Sequence, residues 1–135
     1  MKQDNSLVID ASAIMGILLD EPAKASIVKS AEGCDISAPS IMPFEVANAL
    51  SREIRRNRIT VEQSREAFRI YKTIPINKVK INYESTLEIC YAQKTYAYDA
   101  AYIDLALRLR APLLTLDDNM RRIAKSLNIY LVLED

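Results

Sequence analysis

The chain of 135 residues carries 18 basic and 18 acidic side chains, so its formal charge is zero and no overall field attracts nucleic acid. It contains no histidine, which excludes Ser-His-Asp and Cys-His catalysis, histidine acid–base ribonuclease chemistry, and histidine-ligated zinc or iron. Gly16 and Gly33 are the only glycines, so neither a phosphate-binding P-loop nor a dinucleotide glycine fingerprint can be formed. An enzyme of this composition must rely on carboxylates, hydroxyls, Lys, Arg and a bound metal.

The length and the absence of linkers or repeats predict a single domain spanning residues 1–135. No apolar run approaches the ~20 residues that a membrane-spanning helix needs. The polar N-terminal residues 1–5 lack a signal-peptide pattern. We therefore expect a cytoplasmic protein with no membrane partner.

Periodicity predicts strands that alternate with helices along the whole chain. The predicted strands are, in chain order, Leu7–Asp10, Asp35–Ala38, Lys78–Ile81, Leu113–Leu116 and Ile129–Leu133. The predicted helices are Ser12–Leu19, a helix from Pro22 to near Gly33, Pro43–Arg56, Thr60–Tyr71, Tyr83–Gln93, Tyr98–Arg110 and Asn119–Leu127. This alternation predicts an α/β fold with a parallel sheet of about five strands, covered by helices on both faces.

Four isolated acidic residues stand where apolar segments end or begin. Asp10 and Asp117 each follow a predicted strand, and Glu45 and Asp99 lie in the first turns of two predicted helices. Carboxylates at the carboxyl ends of parallel strands point into the crevice where α/β folds place their sites, and there they repel one another unless they share a divalent cation. Taken singly, Asp10 and Asp117 would equally suit helix caps, and Asp99 a helix dipole.

One predicted helix carries polar side chains that have two interpretations. Glu45, Asn48 and Arg52 share one face, which would suit either a pocket wall or a solvated stripe. Arg52, Arg55 and Arg56 form a basic strip at the end of the same helix. The strip either complements the helix dipole or contacts RNA phosphate or an acidic part of a partner.

Other polar side chains receive simpler predictions. Asp104 is expected to pair with Arg108, four residues later on the same helix. Tyr96, Tyr98 and Tyr102 are expected in the core or in an interface, with base stacking as the alternative.

Together, four stretches resemble the signatures of the PIN domain, in the family's order and at its spacings. They are Val8-Ile9-Asp10-Ala11-Ser12, Phe44-Glu45-Val46-Ala47-Asn48-Ala49-Leu50, Tyr98-Asp99-Ala100-Ala101-Tyr102 and Leu114-Thr115-Leu116-Asp117. The resemblance covers essentially the whole chain. The small size of the chain and its Tyr98-Asp99-Ala100 signature resemble those of the VapC-like branch, the toxin ribonucleases of toxin–antitoxin pairs.

The resemblance implies a three-layer α/β/α sandwich and a Mg²⁺- or Mn²⁺-dependent endoribonuclease. It also implies an RNA substrate, homodimerisation and a cognate antitoxin that places an arginine near the acids. The implied metal-binding and catalytic residues are Asp10, Glu45, Asp99 and Asp117, with Asp10 and Asp99 as the chief direct ligands and with Ser12 and Thr115 as supporting hydroxyls. Asp118 is additional, and we expect it to cap the last helix.

Three alternatives remain open. The chain could be a housekeeping PIN nuclease that processes RNA without a partner, or a catalytically silent binding module. It could also be a receiver-like domain that binds Mg²⁺. The receiver-like alternative is disfavoured because Asp10 lacks an adjacent acid and because the late strand ends in Asp117 and Asp118 rather than being followed by a lysine.

Overall fold

A computed structural model of the chain describes residues 4–133, so the first three of the polar N-terminal residues lie outside it. Its sheet contains β1 (Ser6–Ile9), β2 (Asp35–Pro39), β3 (Asn77–Val79) and β4 (Leu113–Leu114), all parallel, in the order β3-β2-β1-β4. The predicted α/β class with a parallel sheet is confirmed.

The predicted fifth strand, Ile129–Leu133, is reduced to a single parallel bridge between Leu113 and Leu131. Around that bridge the Leu113 amide donates to the Tyr130 carbonyl at 2.9 Å, and the Val132 amide donates to the Leu113 carbonyl at 3.1 Å. Strand β4 is only two residues long, shorter than predicted, so it offers the last segment little backbone to pair with. The sheet therefore has four strands and one bridged edge segment.

Within the described residues, seven helices connect and cover these strands. They are α1 (Ala11–Leu18), α2 (Lys24–Ala31), α3 (Met42–Arg55), α4 (Val61–Thr73), α5 (Tyr83–Gln93), α6 (Ala97–Leu109) and α7 (Asp118–Ser126). Helix α2 differs most from its prediction, because Pro22 lies in the turn before the helix rather than in its first turn. Thr60 caps α4 as the sequence suggests, accepting from the Gln63 amide at 3.0 Å while Gln63 Oε1 accepts from the Thr60 amide at 2.8 Å.

Both faces of the sheet are covered. Successive side chains of a strand point to opposite faces, yet Leu7, Val8 and Ile9 of β1 are all buried. Helix α6 packs on β1 and β2, and α5 and α7 pack on α6, whereas α1 contacts α2, α3 and α4. Within residues 4–133 no helix is both long and apolar enough to cross a membrane.

The sheet order creates a switch point beside β1. The chain proceeds from β1 through β2 to β3 on one side, and β4 then joins the opposite side of β1. The Asp10 amide donates to the Leu114 carbonyl at 3.2 Å, so the carboxyl ends of β1 and β4 lie side by side. Parallel α/β sheets form their crevices where the connections diverge in this way.

Candidate active site and metal centre

Asp10 is the most buried of the four acids, with 4% of its surface exposed. It caps α1, since its Oδ1 accepts from the Ala13 amide at 3.0 Å and also from Ser12 Oγ at 2.7 Å. Its Oδ2 accepts a short hydrogen bond from Thr115 Oγ1. Burial raises the pKa of Asp10 to about 6 against these stabilising hydrogen bonds, and the nearby charge of Asp117 adds to the rise.

The hydroxyls of Ser12 and Thr115 join the loops that follow β1 and β4. Besides donating to Asp10, Ser12 Oγ accepts from the Leu116 amide at 2.9 Å, and Thr115 Oγ1 accepts from the Asp117 amide at 3.0 Å. These bonds hold the Asp117 backbone close to Asp10 although 107 positions separate the two residues in the numbering.

Asp117 performs the capping role expected of Asp118. Its Oδ2 accepts from the Met120 amide at 3.0 Å, at the N-terminus of α7. The Asp118 side chain is 98% exposed and approaches Arg121 Nη1 at 3.4 Å. The prediction for Asp118 was wrong, because Asp117 has the extended backbone of an N-cap residue whereas Asp118 is already helical.

Glu45, in the first turn of α3, is held by a residue from another helix. The Tyr102 hydroxyl, on α6, donates to Glu45 Oε1 at 2.6 Å. Burial raises the pKa of Glu45, and the charges of Asp10 and Asp99 raise it further, although the Tyr102 hydrogen bond acts in the opposite direction. Burial and the neighbouring Glu45 carboxylate also raise the pKa of Tyr102, so its hydroxyl remains a donor.

Asp99 occupies the first turn of α6 and is held by Asn119. Asn119 Nδ2 donates to Asp99 Oδ2 at 2.9 Å and lies 3.3 Å from Thr95 Oγ1. Burial is the main cause that raises the pKa of Asp99, and the charge of Asp117 adds to it, whereas the hydrogen bonds from Asn119 and Thr95 lower it.

The four carboxylates form one electrostatically connected group. The charge of Asp117 raises the pKa of Asp10 and of Asp99. The charges of Asp10 and Asp99 in turn raise the pKa of Glu45. The structure thus brings all four predicted acids into one region, from β1, α3, α6 and the loop after β4.

The oxygen-only donor set of these acids fits Mg²⁺ or Mn²⁺, which prefer hard ligands. In the described part of the chain, however, no three acidic, histidine or cysteine side chains stand as a preformed cation cage. Like charges repel, and both oxygens of Asp10 are engaged by hydrogen bonds. A cation would therefore have to draw the acids together.

A cleft of about 480 Å³ opens beside Glu45, which is the one of the four acids that lines it. Glu45, Asn48 and Arg52 line it along one face of α3, so the pocket-wall interpretation of that face is confirmed. Arg55 and Arg56 do not line the cleft; they are exposed at the end of α3.

Three residues that hydrogen-bond the acids, Tyr102, Asn119 and Thr95, were not predicted from the sequence. Tyr102 lies three positions after Asp99 on the same helical face, a spacing that could have suggested a shared site. Asn119 reaches Asp99 across 20 positions, and no local pattern points to that contact. The prediction for Asp104 is confirmed, since it is buried and accepts from Arg108 Nε at 2.8 Å.

The chain is similar in sequence and in fold to known proteins. Ribonuclease VapC1 of Mycobacterium tuberculosis is 32% identical over 119 residues, which cover 84% of this chain and 86% of that protein. In fold, the chain is similar to the crystal structure of PAE2754 from Pyrobaculum aerophilum, with a TM-score of 0.72 and 19% identity over 94% of this chain and 83% of that one. It is also similar to VapBC2 from Rickettsia felis bound to a DNA fragment from their promoter, with a TM-score of 0.67 and 15% identity over 93% and 96% of the two chains. The sequence model of the PIN domain matches residues 7–126, and this chain therefore belongs to the PIN domain family.

Proposed function

We propose that this protein is a Mg²⁺- or Mn²⁺-dependent endoribonuclease that hydrolyses RNA phosphodiester bonds in the cytoplasm and serves as the toxin of a type II toxin–antitoxin pair. The observation that carries the proposal is the coupled group of Asp10, Glu45, Asp99 and Asp117 at the switch point of a PIN fold. The likeness to a protein named a ribonuclease, at 32% identity, supports the reaction class.

The hydrogen bonds suggest a division of roles among the acids. The family resemblance implies that Asp10 and Asp99 are the chief ligands, and Asp117 adds a carboxylate from the loop after β4. Tyr102 engages Glu45 Oε1, whereas no described residue hydrogen-bonds Glu45 Oε2, which leaves that oxygen available to a cation or a water molecule.

A bound Mg²⁺ or Mn²⁺ would acidify a water molecule and offset negative charge on the phosphate and its leaving oxygen. Glu45 is the carboxylate that we assign to accept the proton of the attacking water, because its Oε2 has no hydrogen-bond partner among the described residues and burial raises its pKa. Ser12 and Thr115 keep Asp10 in one orientation. In-line attack by water would leave a 5′-phosphate and a 3′-hydroxyl, and no histidine is required.

The test is cleavage of a structured RNA by the purified chain in Mg²⁺, followed on a denaturing gel. Asp99→Asn should reduce the rate by about 10²–10³-fold or more, as expected when a transition-state contact is removed. Asp118→Asn is the matched control, since that side chain is 98% exposed, and it should cleave like the wild type. Cleavage that continues unchanged in excess EDTA would disprove the metal mechanism.

The toxin role has its own test. Induction of the wild-type chain in a bacterial host should arrest growth, whereas the Asp99→Asn variant at the same level should not. Normal growth with abundant wild-type protein that is active in vitro would instead favour a housekeeping nuclease.

We propose that the antitoxin occupies the apolar groove between α3 and α4. This groove of about 370 Å³ is lined by Ala47, Leu50 and Ile54 on α3 and by Ser64 and Phe68 on α4, among others. Its apolar lining suits an amphipathic segment laid between two helices. The fold likeness to a chain of VapBC2 is compatible with such a partner, and we extend the proposal to a homodimer of this chain.

The basic strip is the charged part of the proposed partner or RNA surface. Arg52, Arg55 and Arg56 are exposed and form no ion pair with the described residues. Arg55→Glu combined with Arg56→Glu should weaken antitoxin or RNA binding and leave the melting temperature within about 2 °C, because exposed charges contribute little to stability. Unchanged binding of both partners would mean that the strip is only a solvated helix end.

The groove has its own test. Ala47→Arg should fill the groove and weaken antitoxin binding without weakening RNA binding.

A further inference from the structure

Two aromatic side chains project into the cleft beside the acids. Phe44 is 67% exposed and Tyr98 is 53% exposed, and each directly precedes a site acid, Glu45 or Asp99. They come from different helices, α3 and α6, yet both line the same cleft. Their exposure shows that the core does not account for either ring.

Exposure alone does not mark a binding site, because Tyr91 is 88% exposed on α5 and does not line the cleft. What distinguishes Phe44 and Tyr98 is that both line the cleft that Glu45 also lines. Large aromatic rings stabilise a protein most when they are buried, whereas these two rings face solvent beside a site acid.

The charges of the cleft argue for a contact that does not depend on charge. Glu21 and Glu45 line it together with Arg52, so repulsion of a phosphate by the two acids outweighs its attraction to the one basic side chain. Stacking of a base on an aromatic ring needs no net charge and accepts any base. Asn48, also in the wall, offers both a donor and an acceptor to a base edge, and Arg52 offers a guanidinium to a neighbouring phosphate.

We propose that Phe44 and Tyr98 form a stacking platform for an unpaired nucleobase next to the scissile phosphate. The inference rests on the proposed ribonuclease function and names two residues that position its substrate. Bases inside a duplex have both faces covered by their neighbours, and only an unpaired base can turn out to stack on a protein ring. The cleft, at about 480 Å³, is within the range of roughly 300–1,000 Å³ that is usual for ligand sites.

The test measures binding separately from cleavage. In an Asp99→Asn background with Mg²⁺, a short single-stranded RNA that carries 2-aminopurine is titrated with protein, and its affinity and fluorescence quenching are recorded. The same strand annealed to its complement is the duplex probe. Phe44→Ala and Tyr98→Ala should each weaken single-strand binding by about tenfold or more and reduce the quenching. Phe44→Trp and Tyr98→Phe, which keep a ring, should retain both, and Tyr91→Ala is the matched control for loss of an exposed aromatic residue.

Each result has a defined meaning. If wild-type protein cleaves RNA but the two alanine variants bind and quench like their parent, the platform is wrong and the ribonuclease function stands. Equal affinity for duplex and single strand would also overturn the platform. If the alanine variants lose only antitoxin binding, the rings belong to the protein interface instead. Wild-type protein that neither cleaves nor binds RNA would remove both proposals.

Discussion

Replacing Asp10 by Asn should stabilise the metal-free protein while it abolishes cleavage. In the unfolded chain the Asp10 carboxyl has a pKa near 3.8, but burial raises the pKa in the folded protein to about 6. The folded state therefore holds the proton more tightly, so the contribution of Asp10 to stability is full below about pH 4 and is lost as the pH rises through about 6. At neutral pH the ionised carboxylate destabilises the fold, and Asn removes that charge.

The magnitude follows from the rise in pKa. At about 1.4 kcal/mol for each pKa unit, the change from 3.8 to about 6 corresponds to about 3 kcal/mol at neutral pH. Asn keeps an oxygen that can accept from the Ala13 amide, and its NH₂ group can donate to Thr115 where Oδ2 now accepts. Allowing about 1 kcal/mol for imperfect replacement of these bonds leaves a gain of about 2 kcal/mol. For a chain of this size that gain should raise the melting temperature by about 5–8 °C.

The assay is thermal unfolding followed by circular dichroism in EDTA, at a neutral pH and near pH 4. The variant should melt above the wild type at neutral pH, and the difference should nearly disappear near pH 4, where the folded wild-type carboxyl is protonated and the unfolded one is about half protonated. Asp118→Asn, at an exposed site, is the control and should show no such dependence. A variant that melts at or below the wild-type temperature at neutral pH would refute the argument that burial of the charge destabilises the fold.

Three further outcomes are expected. Tyr102→Phe should retain the fold but reduce the rate of cleavage by about tenfold, because Glu45 loses the hydrogen bond that orients it. The same variant should bind Mn²⁺ more weakly in calorimetry. An unchanged cleavage rate together with unchanged Mn²⁺ affinity would show that the hydrogen bond is incidental. Asp104→Asn should lower stability by about 1–3 kcal/mol in denaturant unfolding through loss of the Arg108 pair, with cleavage near the wild-type rate, and a large loss of cleavage would place Asp104 in the site. Saturating Mg²⁺ should raise the melting temperature of the wild type more than that of Asp99→Asn, and equal increases would show that Asp99 is not a ligand.

Much of the fold can be predicted from local signals. The alternation of apolar runs with helical periodicity predicts the parallel α/β architecture, and the Thr60 capping box marks the start of α4 from four consecutive residues. The sequence also singles out the four acids, because a carboxylate beside a buried apolar segment is costly unless it caps a helix or binds a cation. Such signals depend only on residues that are close in sequence, so they can be recognised without knowledge of tertiary contacts.

The tertiary structure decided how the acids are held. Tyr102 contacts Glu45 across 57 positions, and Thr115 contacts Asp10 across 105, so neither bond has a local signature. The sequence left two interpretations of Asp10 open, a helix cap and a buried carboxylate at the end of a strand. The structure shows that Asp10 is both, because the residue that caps α1 directly follows the buried strand β1. The length of the last strand was likewise set by its neighbour, since an edge segment can pair only with the backbone that a two-residue β4 presents. Packing brings distant segments together, and periodicity cannot report which side chains then meet.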